Sequence, residues 1–379
     1  MDMQSKAKKL IEMIQTAPVE WKPLGEVADY EQPTKYLVAS KNYDDKFDTP
    51  VLTAGKTFIL GYTDETEGIY KASGSPVIIF DDFTTANKWV DFDFKVKSSA
   101  MKIITSKNEQ DVLLKYVYYW LNTLPNSLTD GDHKRQWISN FSNKEIPIPP
   151  LEIQQKIVKI LDKFTELEAT LEAELALRKR QYRYYRDFLL DFDNQIGGGV
   201  ADGYQCRLKD VVWKTLGEVV NIKNGKDWKN LSSGDIPVYG SGGVMGYVDT
   251  FAYDKPSVLI PRKGSITNIF YVDFPFWNVD TIYYTEIDTS KLKPKFFYYF
   301  MRTIDLMALD TGSGRPSLTQ TILNKIKIPI PPLPEQEKIV AILDKFDTLT
   351  HSISEGLPHE IALRRKQYEY YREQLLAFR

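Results

Sequence analysis

The chain has 379 residues, 42% hydrophobic and 26% charged; this balance excludes a disordered polymer, and the length calls for two or three folding units rather than one core. A single cysteine, Cys206, excludes an internal disulfide, and with only His133, His351 and His359 to join it no thiolate or imidazole zinc spacing can be written. A formal net charge of -2 excludes a globally cationic molecule, so any contact with phosphates must come from a local basic surface or be shared with a partner.

In chain order, the first predicted element is an amphipathic helix over residues 3–16. Charged residues interrupt its apolar ones, so it is neither a signal peptide nor a membrane span, and a cytoplasmic protein is expected. WKPLGEV at 21–27 opens a variable region of mixed α/β character, where PVIIF at 76–80 reads as a buried strand and DVLLKYVYYWLNTL at 111–124 as an aromatic helix. Prolines 147, 149 and 150 then hold the chain extended before a heptad seam through Ile153, Ile157, Ile160, Phe164, Leu167 and Leu171. The seam slips one step to Leu175 and resumes at Tyr182, Tyr185, Leu189 and Phe192. A helix of this length would measure roughly 60 Å. DNQIGGGVADG is a flexible linker.

The second half repeats the first. WKTLGEV at 213–219 echoes WKPLGEV, SVLIP at 257–261 is the buried strand, and KPKFFYYFMRTIDLM at 293–307 is the aromatic helix. IPIPPLPEQEKIVAILDKF at 328–346 matches IPIPPLEIQQKIVKILDKF at 146–164 in 15 of 19 positions. ALRRKQYEYYREQLLAF, ending at Phe378, matches ALRKRQYRYYRDFLLDF, ending at Phe192. The second seam runs Ile339, Ile342, Phe346, Leu349, Ile353 and ends at Tyr368, Tyr371, Leu375 and Phe378, with a kink expected at Gly356 and Pro358. The intervening regions share little, as expected if the frame fixes geometry and the inserts choose different ligands. Two such seams pair most simply with each other as an antiparallel coiled coil.

Candidate chemistry is sparse. YGSGGVMGY at 239–247 lacks the glycine spacing of a dinucleotide fingerprint. Asp81 and Asp82 after a strand, with Asp93 and Lys95, could hold Mg²⁺ for phosphodiester cleavage, but the second copy has Arg262 and Lys263 where the acids stand. These positions read better as recognition loops. Arg262 could address guanine, Lys263 a phosphate, and Asp81 or Asp82 a cytosine amino group. TGSGRPSLTQ at 311–320, around Arg315 and Ser317, and its counterpart TDGDHKRQWI at 129–138, with Lys134, Arg135 and Gln136, extend the DNA-binding set, as do Lys56, Thr84, Thr85, Lys88, Tyr239, Ser241 and Ser265.

Taken together, the repeated IPIPPL opening, the RK-QY-YYR-LL ending and the GSGR-SL lead-in at 312–318 resemble the specificity subunits of Type I restriction-modification enzymes. The resemblance covers essentially the whole chain. It implies a mixed α+β fold with two target recognition domains, 1–150 and 196–332, alternating with repeat helices at 151–195 and 333–379 about an internal pseudo-twofold axis. It further implies a non-catalytic subunit that reads a bipartite, asymmetric site in double-stranded DNA, one half per domain, with the helices setting the spacer at roughly one helical turn or somewhat more. Two modification (methyltransferase) subunits and restriction/translocase subunits would be its partners. S-adenosylmethionine, ATP and Mg²⁺ would belong to them, and this chain would bind no cofactor or metal. The Tyr- and Arg-rich endings, Arg178, Tyr182, Tyr185 and Arg186 with Arg364, Tyr368, Tyr371 and Arg372, are expected to dock the modification subunits. The rival expectations are a coiled-coil scaffold that binds only proteins and the Mg²⁺-dependent nuclease.

Overall fold

The computed structural model describes residues 3–53, 57–125, 135–192, 211–311 and 314–378. By internal packing the chain divides into a first unit, Met1–Leu171 with Ile361–Arg379, and a second, Glu172–Glu360. The repeat helices are therefore shared between units rather than forming units of their own.

In the first unit, WKPL and IPIP, the two repeated ends of the variable region, pair directly. Glu20–Pro23 lies antiparallel to Glu145–Ile148 with Trp21 opposite Pro147. Between them stands an antiparallel sheet in the order Ala28–Glu31, Met101–Ser106, Val77–Asp81, Asn87–Val90. The expected strand at 76–80 is its fully buried third member. A smaller sheet places Ile59–Thr63 beside Thr49–Leu52, which runs parallel to Lys95–Val96.

The second unit repeats this order. Val212–Thr215 pairs with Lys327–Ile330, setting Trp213 opposite Pro329. The main sheet runs Val220–Asn224, Ile282–Ile287, Ser257–Pro261, Phe270–Val272, and the smaller one Gly243–Val248, Ile236–Gly240, Trp277–Asn278. Both small sheets carry a bulge at the same step, Val51/Leu52 and Val238/Tyr239. Sequences with little in common thus build one topology twice.

The predicted first helix is present as Met3–Thr16, burying Ala7, Leu10 and Ile14. The aromatic helices are Leu114–Leu121 and Pro294–Met301. Each packs against the repeat helix of its own unit: Tyr116, Val117, Ile157 and Phe164 share one core, Phe296, Phe300, Ile339 and Leu343 the other. Each such side chain removed from water contributes about 1.5–3 kcal/mol.

The long helix is continuous from Leu151 to Leu190, 40 residues. In the first unit Phe164 stacks on Tyr371 at 5.4 Å and Glu168 accepts from Arg365. In the second, Tyr185 stacks on Phe346 at 5.4 Å and Tyr182 meets His351 edge-on at 5.5 Å. Ascending numbers on one helix meet descending numbers on the other within each unit, so each contact is antiparallel.

The seam departs from expectation in two places. Leu167, Leu171 and Leu175 are only half-buried, so deep burial stops at Phe164 and resumes at Tyr182. The distal segment does not kink but breaks, into Leu333–His351 and Gly356–Leu375. Gly356 takes φ +77, and a Cβ there would lie 2.4 Å from the Thr348 carbonyl oxygen. Pro358 falls in the first turn of the new helix, where its missing N–H costs nothing. Ile353, expected on the seam, is consequently in the connecting loop and 88% exposed.

Candidate DNA-reading surface

In the second unit the strand Ser257–Pro261 delivers Arg262 and Lys263 to a cleft of about 350 Å³ lined also by Asn224, Tyr283, Ser317 and Gln320. The local chain explains the placement. Arg262 and Lys263 direct their N–H groups to the Thr281 carbonyl at 2.8 and 3.2 Å, and the Arg262 carbonyl accepts from Leu318, so the backbone is held just beyond the end of the strand while Arg262 stays half-exposed and Lys263 exposed. The Arg262 guanidinium lies 6.0 Å from the Tyr283 ring centroid and reaches the Asp280 carbonyl at 3.5 Å. Lys263 is exposed and pairs by its backbone with Ser317.

The neighbouring hairpin closes on the same loop. Ser241 donates its N–H to Thr281 Oγ1 at 3.3 Å, and its carbonyl accepts from the Asn268 amide at 3.1 Å. Gly264, at φ +84, leaves its missing Cβ 3.2 Å from Ser241 Oγ. Ser241, Arg262, Lys263 and Ser317 are therefore brought together, with Ser265 and Arg315 exposed on the same loops. Tyr239 is instead half-buried against Phe270 and Phe276. Asn224, Asn268 and Tyr283, which sequence reasoning missed, come from separate strands and loops with no local signal.

The equivalent place in the first unit is chemically opposite. Gln136 donates its N–H to the Asp82 carbonyl at 2.9 Å, as Leu318 does to Arg262, so the two loops correspond. Yet Asp82 is 2% exposed, accepts the Trp137 N–H at 2.8 Å, and lies 3.5 Å from Lys102, itself 1% exposed. Asp81 is equally committed, accepting from the Phe83 and Thr84 N–H groups and the Thr84 hydroxyl. The expectation that Asp81 or Asp82 reaches a base is corrected: both carboxylates are consumed inside the fold. Gln136 and Thr85 are buried too, Thr85 at φ 61 in the turn, while Thr84, Lys88 and Arg135 are exposed. Lys56, His133 and Lys134 lie outside the described residues.

The nuclease set does not assemble. Asp93 is held by Lys71 and by Ser73, which draw its pKa down to about 2. Lys95 is buried against Glu65 at 2.7 Å and the Glu67 carbonyl at 2.6 Å. Each of the four residues thus has its own partners, and among the described residues no three acids, histidines or cysteines group as a metal site.

In the helix endings two of the four tyrosines expected at a partner surface are taken up by the fold. Tyr182 and Tyr371 are buried in the antiparallel contacts, and burial pushes the Tyr182 phenol up to about 12. Tyr185 and Tyr368 are half-buried, Tyr368 beneath the Arg372 guanidinium at 5.5 Å. Arg178 pairs with Glu174, Arg186 with Asp187, and Arg364 donates to Gln367. The exposed aromatics are the intervening Tyr184 and Tyr370, 60% and 57% exposed, each seven residues after an exposed leucine, Leu177 or Leu363. Among the described residues no helix is long and apolar enough to cross a membrane.

A family model described as the Type I restriction modification DNA specificity domain matches residues 18–177 and again 209–363. The chain is 48% identical to the Type I restriction enzyme EcoR124I/EcoR124II specificity subunit of Escherichia coli, over 100% of this chain and 98% of that protein. A relative from Haemophilus influenzae, also named a type I restriction enzyme specificity subunit, is 31% identical over 99% and 100% of the two chains. In fold, the crystal structure of the Type-I restriction-modification system S subunit from M. genitalium is similar at a TM-score of 0.66 and 19% identity, covering 96% and 97% of the two chains.

Proposed function

The chain belongs to the Type I restriction modification DNA specificity family, and from that premise we propose that its two units read the two unlike halves of one bipartite target in double-stranded DNA. The observation that carries this reading is a single topology bearing opposite chemistry at corresponding loops. Arg262 projects where Asp82 is folded inward, so the second unit offers a guanidinium and an ammonium to base edges and phosphates. The first unit would read with Thr84, Lys88 and Arg135, which remain exposed on the matching loops.

The chain is non-catalytic in this proposal. Two modification subunits supply S-adenosylmethionine-dependent adenine methylation, and restriction/translocase subunits use ATP and Mg²⁺. A partner present in two copies needs a surface present twice, and the exposed Leu177 with Tyr184 and Leu363 with Tyr370 satisfy that requirement. The antiparallel helix contacts support a coiled coil that sets the spacer between the halves.

Mapping methylated adenines in cells that express this chain with its modification subunit tests the proposal. Exchange of the second variable region for one from another family member should change one half of the target and leave the other half and the spacer as they were. A target that changes in both halves, or in neither, overturns it.

A further inference from the structure

The first unit carries a groove that DNA reading does not use. It runs between the N-terminal helix and the opening turns of the long helix and encloses about 640 Å³. Its floor is apolar: Leu10 and Met13 on one side, Ile160 on the other. Its rims are lysine on both sides, Lys6 and Lys9 facing Lys156, Lys159 and Lys163.

The residues on each helix recur at steps of three, four and seven, so each wall is one helix face. Lys156 and Lys163 are paired with Glu152 and Glu166, both at 2.7 Å, but these pairs are exposed and weak. Lys6, Lys9 and Lys159 make no ion pair among the described residues. In the second repeat Lys338 and Lys345 stand where Lys156 and Lys163 do, but Ala341 replaces Lys159. The complete basic rim therefore belongs to the first copy.

We propose that this groove seats an amphipathic helix of another protein chain, with its apolar seam on Leu10, Met13 and Ile160 and with Asp and Glu along both flanks. Two helix faces with apolar residues between charged rows present the hole into which a third helix sets its knobs, and the rim charges select the partner. Phosphates of a duplex would answer the lysines but leave the apolar floor uncovered, which disfavours DNA as the occupant. The proposal stands apart from the assignment of the reading loops, since no residue of the groove belongs to them.

The test is fluorescence anisotropy of a labelled three-heptad helical peptide, with Leu and Ile on its seam and Glu on its flanks, titrated with the full chain. The Glu-flanked peptide is expected to bind, and the Lys9→Glu, Lys159→Glu double variant, at unchanged melting temperature, to bind about tenfold or more weakly. A Lys-flanked peptide should not bind. Absence of binding overturns the proposal, as does equal binding of a peptide whose seam is changed to Ser, which would make the groove a polyanion surface only. Displacement of the peptide by an unrelated duplex at equal concentration would overturn it in favour of DNA.

Discussion

Gln154 accepts the main-chain N–H of Leu113 at 3.0 Å while its amide donates to the carbonyls of Asp111 and Pro149, both at 2.9 Å. Gln336 repeats the arrangement with Lys293, Lys291 and Pro331. Each glutamine, 0% exposed, locks the loop before an aromatic helix to the start of a repeat helix. Gln154→Leu keeps the volume but orphans one N–H and two carbonyls, so denaturant melts should show a loss of about 3 kcal/mol. A loss below about 1 kcal/mol would mean that these groups find other partners.

Asp82 and Lys102 form a buried pair, and Lys102 also donates to Gln32 Oε1 at 2.6 Å and lies 5.0 Å from the Tyr30 ring centroid. Asp82→Asn keeps an acceptor for the Trp137 N–H but leaves the ammonium without its counter-charge. About 3–5 kcal/mol of stability should disappear. Target choice in the variants that still fold should be unchanged, because the carboxylate faces inward. A variant of full stability with altered target would return Asp82 to the reading surface.

The repeated frame was legible because its identical residues meet one another. Trp21 faces Pro147 and Trp213 faces Pro329 across short strand pairs, and the Tyr119 phenol donates to Asp162 as Tyr299 does to Asp344. The fate of Asp82 was hidden because Lys102 reaches it from a neighbouring strand of the sheet, a pairing that no local pattern announces. Tyr182 and Tyr371, two of the tyrosines expected to dock a partner, turn inward instead. Tyr182 and Tyr184 differ by two helical steps, about 200° around the axis, and it is the packing of Phe346, His351 and Arg302 that selects Tyr182 for burial.

Arg262 and Lys263 should separate specificity from affinity. Arg262→Ala is expected to relax discrimination at one position of one half-site by about 1–3 kcal/mol, and methylome mapping would reveal it as a degenerate base. Lys263→Ala should weaken all duplexes alike and lower the salt slope of binding by about one unit. Both variants should melt as the parent does, since neither side chain is buried. Loss of discrimination in both halves at once would contradict separate reading.

His351 gives a pH dependence with a definite sign. Burial lowers its pKa from 6.5; Asp347 opposes that shift, while Arg302 and Lys179 reinforce it. The folded chain thus takes up the proton less readily than the unfolded one. Its contribution to stability is complete above 6.5 and is lost as pH falls from there through the lower folded value. Parent and His351→Gln chains compared in denaturant at about pH 7.5 and about pH 5.5 should show the parent losing more on acidification. If the parent instead gained relative to the variant, the Asp347 contact at 3.2 Å would be the stronger influence.

Tyr184 and Tyr370 test the partner surface against the buried tyrosines beside them. Tyr184→Ala removes an exposed ring that stacks on Phe188 and meets Tyr185 edge-on, both on its own helix, so the fold should survive. If each ring anchors one modification subunit, its loss should cost about 2 kcal/mol of binding, roughly 30-fold. At a concentration about three times the parent's dissociation constant, native mass spectrometry should then find mostly one modification subunit per chain in either single variant and mostly none in the double variant. Tyr182→Ala should behave differently, opening a cavity beside Phe346 and Arg302 and lowering stability by about 3 kcal/mol. Full assembly by the double variant would place the docking surface elsewhere.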